Sequence, residues 1–283
     1  MIITGNSSES LNHLLKQLNS EFRMTDMGKL HYFLGIQVQT HDKGLFLCQQ
    51  KYTVDLLAVA GMKECEPMPT ALPQQLNRVE DKTELFSHPT YFRSLAGKLQ
   101  YLTLTRPDIQ FAVNYVCQKM HSPTVSDFHL LKRIIRYVKG TITMGISLHK
   151  DADFTLTAYS DSDWARCSST RRSTGGYSTF LGKNLIAWSS RKQPTVSKSS
   201  TEAEYRTLSE TASDITWLCS IFRELGLPLM TTLLLLCDNL STVLLSANPS
   251  FHSRTKHFAL DYHYVRERVA LGALEVKNIP NQH

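Results

Sequence analysis

Long hydrophobic runs are missing from this chain of 283 residues. The strongest, Leu233 to Cys237, is far too short to span a bilayer, so no membrane partner is expected. The start has no basic stretch followed by an apolar segment. No signal peptide is read there, and an intracellular protein, cytoplasmic or nuclear rather than secreted, is expected. The six cysteines (48, 65, 117, 167, 219 and 237) form no CxxC pair, and none meets a histidine at zinc-finger spacing. Free thiols in a reducing compartment follow. Internal repeats and low-complexity tracts are also lacking. The net charge of +6 is mild, but it is unevenly placed. From Asp161 to Ser200 there are seven Lys or Arg and two Asp. A basic stretch around two carboxylates suits a bound polyanion, although a solvated face has the same composition.

The apolar residues present, with hydrophobic types at 42%, allow a real core. Ser10 can cap a helix with the stripe Leu11, Leu14, Leu15, Leu18 and Phe22. Leu30, Tyr32, Leu34, Ile36 and Val38 alternate as one strand, and His41-Asp42-Lys43-Gly44 closes a hairpin onto Leu45 to Cys48. Tyr52 to Ala60 reads as a helix ended by Gly61. Pro67, Pro69, Pro73 and Pro89 mark a linker. Three helices follow, roughly Tyr91 to Leu104, Pro107 to Met120 and Val125 to Val138. Their Leu and Ile stripes are packing faces.

From Phe154 the pattern becomes α/β. Phe154, Leu156, Ala158 and Ser160 alternate with Thr155, Thr157 and Tyr159, which predicts a strand ending on Asp161. Gly176 to Leu181 and Leu185 to Ser189 form two more strands around Gly182-Lys183-Asn184, giving three antiparallel strands in succession. Ser199 to Leu225 is a long helix with the stripe Tyr205, Leu208, Ala212, Ile215, Cys219 and Phe222. Thr232 to Cys237 reads as a strand of the kind buried in parallel pairing. Leu240 to Ala247 and His257 to Leu271 read as helices, and Ala273 to Ile279 as a last strand.

Three carboxylates stand out. Asp161 ends the first strand of this part, Asp238 ends the buried strand, and Glu204 lies one turn before Leu208. If the two strands are parallel neighbours, Asp161 and Asp238 lie side by side, with Glu204 aimed at both from the helix. Three acids so placed repel unless a cation sits among them. Oxygen ligands alone favour Mg²⁺ or Mn²⁺ and metal-assisted phosphodiester cleavage. Each acid also has an ordinary alternative. Thr201-x-x-Glu204 matches a capping box, though Ser199-x-x-Glu202 offers the same role to Glu202. The Asp238-Asn239 pair can cap the next helix.

The segments YSDSDWA, RRSTGGYSTFLG, LIAWSSRKQPTVSKSSTEAEY, LLLLCDN and FHSRTKHF resemble the ribonuclease H domain of copia-type LTR retrotransposon Pol polyproteins. Upstream, GKLHYFLGIQV, YFRSLAGKLQYLTLTRPDIQFAVN and LKRIIRYVKGT resemble the part of that polyprotein after the polymerase active site. The resemblance implies a remnant of the reverse-transcriptase palm and thumb over residues 1–72. A linker and helical connection then cover 73–150. Residues 151–283 form a ribonuclease H-like mixed sheet with flanking helices. It further implies cleavage of RNA in an RNA–DNA hybrid with two divalent ions, Mg²⁺ or Mn²⁺. Asp161, Glu204 and Asp238 match the first three catalytic, metal-binding acids, with Asp163 the rival of Asp161. Arg171, Arg172, Arg191, Lys192 and Lys198 are candidate contacts to the nucleic acid, which would be held through phosphates and 2′-hydroxyls. Other parts of a retroelement polyprotein are possible partners.

Two departures from the family pattern shape the expectation. The chain opens on MIITG, which in the family directly follows the paired polymerase aspartates, so polymerase activity is expected to be absent. It stops at Asn281-Gln282-His283, short of the family's fourth acid, so the nuclease is expected to be impaired. Asp261 and His257 are poor stand-ins, because their helix precedes the last strand. The alternative reading is a catalytically inactive nucleic-acid-binding or interaction relic. An integrase core also uses carboxylates, but the local motifs argue against it.

Overall fold

The computed structural model describes residues 1–74, 76, 84–150, 153–227, 232–248 and 258–279. His257, the FHSRTKH stretch and the last four residues lie outside them, as does most of the polar segment after Pro73.

Helix α1 (Ser8–Glu21) is capped by Ser7, whose side chain accepts from the Ser10 N–H at 3.3 Å. The expected cap at Ser10 is therefore three residues late. Its apolar stripe forms, but none of its residues is buried. The single strand expected from Leu30 to Val38 is broken. Leu34 and Gly35 take positive φ (46° and 77°) and separate β1 (Tyr32–Phe33) from β2 (Ile36–His41). Alternation persists through the break because a two-residue turn preserves it. β2 and β3 (Gly44–Cys48) form the expected hairpin. Strand β4 (Gly145–His149), absent from the sequence reading, pairs antiparallel with β3 and completes a sheet ordered β1-β2-β3-β4. A Cβ on Gly145 would lie 2.2 Å from the Leu47 carbonyl oxygen, so only glycine admits this approach.

Helices α2 (Gln50–Val59), α3 (Pro89–Leu102), α4 (Gln110–Cys117) and α5 (Val125–Gly140) share one core. The stretch read as one helix from Pro107 is a 3₁₀ turn, Pro107–Ile109, followed by α4. Phe92, Leu95, Leu99, Leu131, Ile134 and Ile135 are all at least 99% buried there. Each contributes about 1.5–3 kcal/mol by leaving water. The capping box on α5 joins Thr124 and Asp127 reciprocally.

The second body is a five-stranded sheet ordered β7-β6-β5-β8-β9. Strands β5 (Leu156–Asp163), β6 (Thr174–Leu181) and β7 (Asn184–Lys192) run antiparallel in succession. β8 (Leu233–Cys237) and β9 (Leu274–Asn278) pair in parallel, and β8 pairs in parallel with β5. Helix α6 (Ser200–Glu224) lies across the sheet, and α7 (Leu240–Ala247) and α8 (Ala259–Ala270) pack beside it. Leu156, Ala158 and Leu235 of the sheet meet Tyr205, Leu208, Ala212 and Ile215 of α6. A Cβ on Gly175 would fall 2.3 Å from the Thr207 hydroxyl, so that glycine sets how closely α6 approaches β6. This mixed sheet with its covering helices is ribonuclease H-like. Among the described residues, no helix is long and apolar enough to cross a membrane.

The two bodies touch through polar clasps. The Trp188 indole N–H donates to the Thr103 carbonyl at 3.2 Å, and the Asn184 amide exchanges two bonds with the His149 backbone. Nearby, Arg106 is 98% buried. It forms two bonds to the Asp108 carboxylate at 2.7 and 2.8 Å, and donates to the Thr141 carbonyl and hydroxyl at 2.9 and 2.7 Å. The same ion pair holds the Asp108 carboxyl below its usual range, against the opposing effect of burial. Removing the guanidinium would leave a partly buried carboxylate with the Tyr137 hydroxyl bond at 2.9 Å but without its cation. Arg106→Ala is expected to cost about 3–5 kcal/mol in denaturant unfolding, and a loss below about 1 kcal/mol would contradict this role.

Candidate metal centre and nucleic-acid face

Ser160 of β5 and Cys237 of β8 are register partners in the parallel pair. Asp161 and Asp238, the next residue on each chain, therefore sit side by side at one end of the sheet. β5 does not stop at Asp161 as expected but continues to Asp163, paired with β6 throughout. Alternation still governs its faces. Leu156, Ala158 and Ser160 are buried, and Tyr159 and Asp161 are exposed.

Glu204 reaches the same place from the first turns of α6. It is 95% buried, because Tyr205 beside it is wholly buried in the core. Its Oε1 accepts the Ser162 backbone N–H at 3.0 Å, and its Oε2 is buried with no hydrogen-bond partner. A buried, orphaned carboxylate oxygen with two aspartates nearby is one that a bound cation would satisfy. The donor set fits a divalent ion.

The ordinary roles fall to neighbouring residues. Ser199 caps α6 by accepting from the Glu202 N–H at 3.2 Å, and Glu202 in turn accepts the Lys198 N–H at 2.8 Å. Glu204 is thereby released from capping. Asn239, not Asp238, caps α7, accepting from the Thr242 N–H at 3.0 Å. Asp163 is held by Arg166 at 2.9 Å, which distinguishes it from Asp161. Asp261 lies in the first turn of α8, the helix before the last strand, as expected.

Charge repulsion is legible in the titration of the cluster. Burial, and then the neighbouring Asp161 and Asp238, push the Glu204 carboxyl up to about 8, against the Ser162 N–H. Burial and Asp238 also raise Asp161. One further side chain belongs here that the sequence reading treated only as a free thiol. Glu204, Cys237 and Asp238 each bring a ligand atom within 4.8 Å of the others.

The basic candidates gather at the same end of the sheet. Arg191 and Lys192 pair across β6 with Gly175 and Thr174, which lie opposite Ser162 and Asp163 on β5. Arg171, Arg172 and Lys198 are exposed on the flanking segments. Two of the five already have protein partners. Arg191 lies 3.7 Å from the Glu210 carboxylate, and the Lys192 ammonium is 2.8 Å from the Cys167 sulfur. Burial opposes ionisation of Cys167, but the bonds from Lys192, Ser169 and Thr170 outweigh it and bring the thiol down to about 6. The Trp164 indole N–H donates to the Ser197 carbonyl at 3.1 Å, tying the loop after β5 to the segment before α6.

A carboxyl whose folded value lies above its ordinary 4.5 stabilises the fold in its neutral form. In the metal-free chain that contribution is complete below the ordinary range and is lost as pH rises through about 8. Glu204→Gln keeps the neutral shape. It is expected to flatten the alkaline loss of stability and to be more stable than the parent by about 1–3 kcal/mol near pH 9. Urea midpoints from about pH 5 to 9 read this, and identical pH slopes in the two proteins would contradict it.

Comparison with known proteins places this geometry. A family model described as reverse transcriptase (RNA-dependent DNA polymerase) matches residues 1–74. An uncharacterized mitochondrial protein of Arabidopsis thaliana is 57% identical over 217 residues, covering 77% of this chain and 90% of that one. The retrovirus-related Pol polyprotein from transposon RE2 of Arabidopsis thaliana is 44% identical over 279 residues. That match covers 99% of this chain, which spans only 19% of the polyprotein's length. Among solved structures, the foamy viral protease-reverse transcriptase dRH in complex with ds DNA aligns with all of this chain and 45% of its own. Its TM-score is 0.50 at 11% identity, a likeness of fold alone. The sequence matches carry the conclusion: the chain belongs to the copia-type retrotransposon Pol family.

Proposed function

We propose that the ribonuclease H-like part of this chain is a divalent-metal nuclease that cuts the RNA strand of an RNA–DNA hybrid. The observation that carries the reading is the buried Glu204, whose Oε2 has no hydrogen-bond partner and whose carboxyl is raised by burial and by the nearby Asp161 and Asp238. Asp161, Glu204 and Asp238 would hold Mg²⁺ or Mn²⁺. The ion would supply Lewis acidity to activate water and stabilise the leaving oxygen. The chain's own residues position that chemistry. The Ser162 N–H fixes one oxygen of Glu204, and the parallel pairing of β5 with β8 holds the two aspartates in step. Arg171, Arg172, Arg191, Lys192 and Lys198 would contact the phosphates on the adjoining face. Asp161, Glu204 and Asp238 are the candidate acids among the described residues, so a second ion would have few protein ligands and turnover is expected to be slow.

A hybrid substrate with labelled RNA tests the reading. Cleavage should require Mg²⁺ or Mn²⁺, spare the DNA strand, and fall at least about 100-fold in Asp161→Asn. Binding without cleavage by the folded chain would sink the nuclease reading and leave the inactive nucleic-acid-binding relic. In either case the exposed arginines carry affinity. Replacing Arg171 and Arg172 together with alanine should reduce the slope of log binding against log salt by about 1–2, and an unchanged slope would remove them from the interface.

A further inference from the structure

Cys237 is the one side chain of the cluster that the proposed chemistry does not use. Its sulfur lies within 4.8 Å of ligand atoms of Glu204 and Asp238, whereas Asp161 stands outside that triplet. The placement follows from the strand. Cys237 faces the core beneath α6, level with Ser160, and Asp161 is one residue further along on the opposite face. Cys237 is in no disulfide, and its described polar contacts are weak, the nearer being the Asn239 N–H at 3.4 Å. The second observation is again Glu204, a member of the same triplet, more than nine-tenths buried and with its Oε2 unpartnered. Asp238 is exposed and gives an ion its way in.

We propose that Cys237, Glu204 and Asp238 form a site for a thiophilic divalent cation of the Zn²⁺ or Cd²⁺ class, overlapping the Mg²⁺ site. It rests on the reading above insofar as Glu204 and Asp238 serve both ions. Mixed sulfur and carboxylate donors favour a borderline or soft ion, and Mg²⁺ gains nothing from sulfur. Binding forms one sulfur–metal bond and passes the thiol proton to solvent. Because two carboxylates are common to both sites, the ions exclude one another, and a thiophilic ion inhibits cleavage by displacing Mg²⁺.

Cd²⁺ titrated into the full chain reads the site without reference to activity, through sulfur-to-metal charge-transfer absorption in the ultraviolet. The other cysteines contribute a background, so the informative quantity is the increment that depends on Cys237. Cys237→Ser should lose that increment and weaken Cd²⁺ binding at least about tenfold, with Mg²⁺ affinity changed less than about threefold. Asp238→Asn, which keeps the thiol, should weaken both ions. Saturating Mg²⁺ should remove the same increment from the unmodified chain. An unaltered Cd²⁺ titration in Cys237→Ser overturns the proposal. If that variant does not fold, a spectrum of the unmodified chain that Mg²⁺ leaves wholly unchanged overturns it instead. Hybrid cleavage assayed on the same preparation separates the two readings. Mg²⁺-dependent cleavage with no Cys237-dependent band leaves the nuclease standing and removes this site. A Cys237-dependent band without cleavage supports this site and removes the nuclease.

Discussion

The parallel pairing of β5 with β8 is the constraint on which the rest depends. It joins residues roughly eighty apart in sequence and aligns Ser160 with Cys237. Every feature of the candidate site follows from that single register. It sets Asp161 beside Asp238, turns Cys237 inward, and gives α6 a floor of Leu156, Ala158 and Leu235 on which Tyr205 and Leu208 settle. Glu204 is carried into place by the burial of its neighbour. A slip of one residue would put the acids on the wrong faces and expose the apolar ones.

The site is costly to the metal-free fold. Glu204 is buried beside two aspartates, with one oxygen satisfied and the other not. Because Ser199 and Asn239 do the ordinary helix-capping work, neither Glu204 nor Asp238 is needed as a cap. Sacrificing stability to hold like charges together is a mark of function, since a purely structural solution would have replaced them with apolar or paired side chains.

Much of this was legible in the sequence where the signal is local. The alternation in β5, the cap at Ser199, the turn at Gly182-Lys183 and the apolar run into Asp238 each depend on neighbours a few positions away, although Asn184, read as part of that turn, begins β7. The parallel neighbourhood of Asp161 and Asp238 could be framed as a condition, and the fold meets it. What escaped was non-local. Strand β4 forms only because β3, about a hundred residues earlier, offers an edge for Ile146 and Leu148. The apolar stripe of α1 suggested burial, but periodicity does not say what covers a face, and nothing among the described residues buries it. Leu34-Gly35 preserved the strand-like alternation while breaking the strand. Cys237 was invisible as a site residue because its relation to Glu204 exists only across the helix–sheet interface. The basic residues cluster in sequence, but the engagement of Lys192 with Cys167 and of Arg191 with Glu210 cannot be read there.

The central claim is that Asp161, Glu204 and Asp238 hold one divalent ion between them. The most direct measurement is a crystal structure of the chain grown with Mn²⁺, recorded to show the metal's anomalous signal. The account predicts a peak within bonding distance of all three carboxylates, about 2.0–2.3 Å from their oxygens. A well-ordered site with Glu204 Oε2 still unpartnered and no anomalous peak among the three acids would contradict it.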